Sequence, residues 1–172
     1  MAVLLAWPVL SFAQALVSVE YQLKAVFLFN FTRFVEWPPE AFTSDQEPFV
    51  IGVLGGNPFG SYLEDVGGNE KVNGHRLVIR YFNNYSEIKS CHILYINKTV
   101  MNETRDFLSS MNGKPVLTVS DASDFMKRGG IIRFYINKDK KVQLEMNLDA
   151  AKAAKLQISS KLIRLTEIYV PK

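Results

Sequence analysis

The sequence has one cysteine, two histidines, no block of like charge and no hydrophobic run long enough to cross a bilayer, and each shortage excludes something. Cys91 is the single cysteine among 172 residues. No disulfide can form within the chain, so stability must come from a packed core, which a domain of this length can supply. Cys91 opens the apolar stretch Cys91-His92-Ile93-Leu94-Tyr95-Ile96, where burial as a small hydrophobe is expected rather than redox chemistry. A metal site gathers three or four ligands at short spacing. His75 and His92 do not supply that, and Cys91 and His92, as neighbours in a strand, point to opposite faces. No metal and no cofactor are expected. Lys and Arg number 20 against 17 Asp and Glu, dispersed along the chain. Nucleic-acid binders concentrate basic residues on one face or in a tail, so no nucleic-acid partner is expected. Hydrophobic residues make up 48% and charged residues 22%, a globular composition rather than a disordered one.

Catalytic signatures are also missing. No G-x-S-x-G elbow occurs. The stretch Gly55-Gly56-Asn57-Pro58-Phe59-Gly60 follows an expected strand and precedes an expected helix, where α/β proteins bind phosphates. It lacks the G-x-G-x-x-G spacing, and no G-K-[ST] follows. Gly55, Gly56 and Asn57, with Ser120 and Asp121 at the end of a later strand, remain a candidate crevice for a small ligand. The order of strands invites comparison with phosphoryl-accepting receiver domains, whose third strand must end in an aspartate. Here it ends Ile96-Asn97-Lys98, and asparagine cannot accept a phosphoryl group. No catalytic residue is assigned.

What is present begins with an uncharged N-terminus. Val3 to Phe12 form an apolar run, shorter than the ~20 residues of a membrane helix, and it ends in Ala13-Gln14-Ala15. That order reads as a signal peptide over residues 1–15, cleaved after Ala15, with a single domain over 16–172. From Val19 to Glu36, Leu23, Val26, Phe27, Phe31, Phe34 and Val35 recur at helical steps, and Pro38-Pro39 stop the helix. Strands are expected at Phe49–Leu54, Leu77–Phe82, Ile93–Ile96 and Val116–Val119, separated by helices over Pro58–Val66, up to Met111, and before Gly129-Gly130. Ile131–Ile136 and Val142–Met146 then form an antiparallel hairpin through Asn137–Lys141. Asn147 or Asp149 starts an alanine-rich helix. Ser159 or Ser160 starts a last one, with Leu162, Ile163, Leu165 and Ile168 buried. The expected fold is α/β: a three-layer, mostly parallel central sheet flanked by helices, with a C-terminal antiparallel hairpin at one edge.

Aromatics concentrate in the first helix. Tyr21 and Phe29 lie off its expected apolar face, and aromatic excess of that kind marks interfaces. The exposed side of this helix (Tyr21, Phe29, Arg33) and the loops at Trp37 and at Gly129 and Gly130 are nominated as partner contacts, although the glycine pair also suits a helix stop before a strand.

The series Lys24-Ala-Val-Phe-Leu-Phe-Asn-Phe-Thr-Arg-Phe-Val-Glu-Trp-Pro38, Ile51-Gly-Val-Leu-Gly55 with Pro58-Phe59, Cys91–Ile96, Val116-Leu-Thr-Val-Ser-Asp121 with Phe125, Gly129-Gly-Ile-Ile132, Leu144-Glu-Met-Asn147 and Leu156-Gln-Ile-Ser-Ser160 resembles the YfiR-like periplasmic proteins. The resemblance implies a small periplasmic α/β domain, able to dimerise, that works without catalysis. Its implied partner is the periplasmic sensor region of a membrane diguanylate cyclase or another membrane signalling protein. The implied effect is repression, with less cyclic-di-GMP and less biofilm, and sequestration by an outer-membrane lipoprotein. The lone Cys91 departs from the disulfide-stabilised member of that family. A periplasmic protein that binds or senses a small solute is the alternative.

Overall fold

The computed structural model describes residues 8–171, with side chains from residue 19 onward. The leader expected over residues 1–15 lies outside the residues whose side chains are described. A long helix, α1 (Pro8–Phe34), runs into a two-residue strand, β1 (Val35–Glu36), and Trp37-Pro38-Pro39 prevent its continuation. β2 (Phe49–Leu54), α2 (Tyr62–Gly67), β3 (Lys71–Val72), β4 (His75–Phe82) and β5 (Ile93–Ile96) follow. After α3 (Arg105–Ser110) come β6 (Leu117–Ser120), β7 (Ile132–Ile136) and β8 (Val142–Met146). The chain closes with α4 (Leu148–Ala153), β9 (Gln157–Ile158), α5 (Ser160–Ile163) and β10 (Thr166–Ile168).

The fold is mixed α/β. Its main sheet has eight strands in the order β10-β8-β7-β6-β5-β2-β4-β3. β4, β2, β5, β6 and β7 are mutually parallel. β2 is the pivot: β4 lies on one side of it and β5 to β7 on the other, so the ends of β2 and β5 form the switch point of the sheet. β7 and β8 form the expected hairpin, held at its tip by Asn137, whose side-chain oxygen accepts from the amides of Asp139 and Lys141, both at 2.9 Å. β1 and β9 pair separately and clasp the C-terminal end of α1.

Both faces of the central strands are buried, which is why those strands read as continuous apolar runs. Phe49, Ile51, Val53, Ile93, Tyr95, Leu117 and Val119 point into one core with Ala25, Leu28 and Phe31 of α1. Val50, Leu54, Leu94 and Ile96 point into the other, with Leu108, Met111 and Phe125. Gly52 makes the second core possible, since a Cβ there would lie 2.8 Å from the Cys91 sulfur and 2.9 Å from the Phe82 ring.

Several expectations are corrected. The buried face of α1 is rotated from the hydrophobic pattern: Leu23 and Val26 are 43% and 39% exposed, while Lys24 is 1% exposed. Tyr21 and Phe29, expected off the apolar face, pack against the core. The cause is electrostatic, because Lys24 turns inward to meet a buried carboxylate. The last helix is only α5. Leu165 and Ile168 are 60% and 44% exposed, and the chain after Ile163 instead pairs with the free edge of β8, the Tyr169 amide donating to the Met146 carbonyl at 2.8 Å. The hairpin therefore does not end the sheet. A bare strand edge offers unpaired amides and carbonyls, and that outweighs the helical spacing of a β-branched tail. α2 starts at Tyr62, not Pro58, since Gly60 takes φ +60° and Asn57 closes a turn by accepting from the Phe59 amide at 2.9 Å. Asn84 and Asn97 cap the turns after β4 and β5. Asn147 and Ser159 cap α4 and α5.

Candidate functional site

The crevice residues do come together. Gly55, Gly56 and Asn57 leave the end of β2, and Ser120 and Asp121 the end of β6, on either side of β5. Their polar groups, however, bond within the chain. The Gly55 amide donates to the Phe82 carbonyl at 3.0 Å, and the Asn97 side-chain amide donates to the Gly56 carbonyl at 2.7 Å. The Asn57 amide group donates to the Gly60 carbonyl at 2.9 Å. Ser120, fully buried, donates its hydroxyl to the Ile96 carbonyl at 2.7 Å and accepts from the Ala122 amide. Gly55 adopts φ +89°, and a Cβ there would press on Val100 and Asn97 at about 3 Å, so glycine serves the turn.

Asp121 organises the centre of this end. Its Oδ2 accepts from Lys24 Nζ at 2.8 Å and from the Tyr21 hydroxyl at 3.1 Å. The two charged side chains are only 2% and 6% exposed. Glu20, one turn before Lys24 on the outer side, pairs with the same ammonium. Burial alone would raise the Asp121 carboxyl. The hydrogen bond and charge of Lys24, joined by the Tyr21 hydroxyl, outweigh it and hold the carboxyl below its ordinary value. The Tyr21 and Tyr95 hydroxyls move the other way, raised by burial and by the neighbouring Asp121 charge. Asp121 Oδ1 and the Tyr95 hydroxyl are buried without hydrogen-bond partners. Tyr21 and Tyr95 sandwich Phe59 edge-on, with ring centroids at 5.6 and 4.8 Å. The cluster fastens the middle of α1 to the strand ends through the Lys24 and Tyr21 bonds to Asp121.

Sequence reasoning found Asp121 and Tyr21 but missed Lys24 and Tyr95. A lysine inside an otherwise apolar helix face was the available signal, though its partner lies 97 positions away.

The nominated contact residues are spread over the molecule. Arg33 is exposed and its guanidinium lies 4.9 Å over the half-buried Phe29 ring. Both line a hollow of about 230 Å³ with Thr32, Glu36, Glu70 and Lys71. Trp37 sits at the opposite pole from Asp121, donating its indole N–H to the His92 carbonyl at 3.1 Å and standing edge-on to Phe49 at 4.8 Å. Gly129 takes φ +86° to end the turn after Phe125, and Gly130 lies flat on the Phe125 ring, where a Cβ would come within 2.2 Å.

Among the described residues no three His, Cys, Asp or Glu side chains are grouped to hold a metal ion, and no helix is long and apolar enough to cross a membrane. No curated protein matches the chain. Residues 21–167 match a known family along the elements just described, from the aromatic first helix to the strand that closes the sheet, and the chain belongs to the YfiR/HmsC-like family.

Proposed function

We propose that this protein is a non-catalytic periplasmic regulator that represses a membrane diguanylate cyclase by binding the cyclase's periplasmic sensor region, lowering cyclic-di-GMP and biofilm formation. The family match over residues 21–167 carries the reading. Two features of the molecule support it. At the strand ends, where an α/β enzyme would do chemistry, the Gly56 carbonyl, the Ser120 hydroxyl and Asp121 Oδ2 are bonded within the chain. The outer side of α1 carries apolar side chains instead, Val19, Leu23 and Val26 at 60%, 43% and 39% exposure, and exposed apolar stripes on a helix mark contact surfaces. Export by the leader over residues 1–15, homodimerisation, and capture by an outer-membrane lipoprotein complete the proposal.

The nominated contact side is that of Phe29 and Arg33 on α1, with Tyr21, Trp37 and the Gly129-Gly130 loop as further candidates. A photo-crosslinking residue at Leu23 or Arg33 tests it in cells. Capture of a membrane protein with a cyclase domain is the expected result. Crosslinks to soluble solute-handling proteins alone would favour the ligand-binding alternative.

A further inference from the structure

The pole opposite Asp121 holds a second buried arrangement, next to Trp37. His92, 1% exposed, precedes β5 and has both ring nitrogens committed. Its Nδ1 accepts the Val50 amide at 3.0 Å, and its Nε2 lies 3.2 Å from the Ala41 carbonyl. An amide can only donate and a carbonyl can only accept, so the ring is neutral with its proton on Nε2. The ring stacks on Phe42 and on Phe49, with centroids 4.4 and 4.7 Å away, and those two rings lie 6.3 Å from each other. Phe42 is itself held from its other face by His75 at 3.9 Å. The segment from Pro38 to Glu47 is thus strapped over the N-terminal ends of β2, β4 and β5 by Phe42 and the Ala41 carbonyl.

We infer that His92 makes this strap acid-sensitive: the proton that His92 cannot hold in its closed position opens residues 38–47 and uncovers the Phe42, Phe49 and Trp37 rings. A second proton on Nδ1 would face the Val50 N–H, a donor against a donor, and place a cation in a slot out of reach of water. The ring must leave its slot to be charged. Two titratable groups face it from the packed elements. Glu47, on the strap, favours the charged ring, while His75, on β4, disfavours it when protonated. Glu47 is itself held down to about 2, chiefly by the Thr43 amide and then by the Ser90 and Thr43 hydroxyls, so it stays ionised as His92 takes up a proton. Burial is the largest influence on His92 and outweighs the carboxylate, lowering its proton affinity below the ordinary value.

The sign follows from linkage. A base whose affinity is depressed in the closed state binds more protons when open. The open fraction therefore rises by up to about tenfold for each pH unit below the ordinary histidine value of ~6.5, until the closed-state value is reached. Nothing is lost above the ordinary value of ~6.5.

The test uses the full chain labelled with ¹⁵N-histidine, which gives only two imidazole systems, assigned with His75→Gln. At about pH 7.5 the His92 ring is expected as the Nε2–H tautomer. As pH falls, its protonation should come below ~6.5 together with falling protection of the Val50 amide and of residues 40–47, read as exchange relative to the unprotected rate at each pH, while β6 stays protected. In His92→Gln that protection should no longer fall with pH. Protonation of His92 near ~6.5 with Val50 still protected would overturn the inference. So would strap exchange with the same acid dependence in His92→Gln as in the parent. If His92→Gln does not fold, the parent spectrum alone decides between the first two outcomes.

Discussion

Replacing Asp121 with alanine tests the electrostatic reading of α1. The substitution removes the acceptor of Lys24 and of the Tyr21 hydroxyl, leaving a lysine 2% exposed at its side chain. Breaking a buried ion pair from one side costs about 3–5 kcal/mol. Glu20, 30% exposed, remains on the same ammonium, which places the expected loss near the lower end, about 3 kcal/mol. The Tyr21 hydroxyl loses the same acceptor. With a urea slope of about 2 kcal/mol/M for a small domain, the midpoint should fall by roughly 1.5 M at neutral pH. Lys24→Met combined with Asp121→Leu should recover much of that loss, because no charge is then left buried. The pH dependence has a defined direction. The Asp121 carboxyl is depressed in the folded state, so its contribution is complete above the ordinary carboxylate value of about 3.9 and is lost as pH falls through the folded value. Parent and Asp121→Asn midpoints should converge there. A midpoint change under about 0.3 M for Asp121→Ala, or strict additivity of the two single changes, would refute the claim that this pair sets the rotation of α1.

Other substitutions follow from the same packing. Tyr95→Phe removes a buried hydroxyl that has no partner, so stability should stay within about 0.5 kcal/mol or rise, measured by urea unfolding. Gly130→Ala places a Cβ 2.2 Å from the Phe125 ring and should cost about 2–4 kcal/mol, visible as a lower thermal midpoint. Cys91 is buried and its thiol is pushed up to about 12, mainly by that burial. A disulfide reagent at about pH 8 should leave the native protein unmodified and titrate one thiol per chain after unfolding.

The central strands were legible because both of their faces are buried. Phe49–Leu54 and Ile93–Ile96 carry apolar residues at every position but Gly52, and their ends were placed to the residue. The hairpin of β7 and β8 was legible from its polar five-residue connection. The tail was not: Leu162 to Ile168 satisfies a helical spacing, and only the free edge of β8 decides that Thr166–Ile168 extend. α1 failed for a related reason. Hydrophobic spacing alone puts Leu23 and Val26 inside, and although a lysine on an apolar face signals a buried partner, nothing within the helix identifies it as an aspartate 97 positions on. At the strand ends, the residue types of the crevice were read correctly and the residues meet there. Their engagement with Asn97, Ile96 and Lys24 is a matter of side-chain packing that spacing does not encode. The His92 slot escaped notice for the same cause, since a histidine in an apolar run shows neither its stacking partners nor its tautomer.

The measurement closest to the central claim is cyclic-di-GMP in cells lacking this protein, complemented either with the full chain or with a form that lacks residues 1–15. The account predicts that loss raises the nucleotide and that only the full, exported chain lowers it again. An unchanged level on deletion, or equal rescue by the leaderless form, would contradict it.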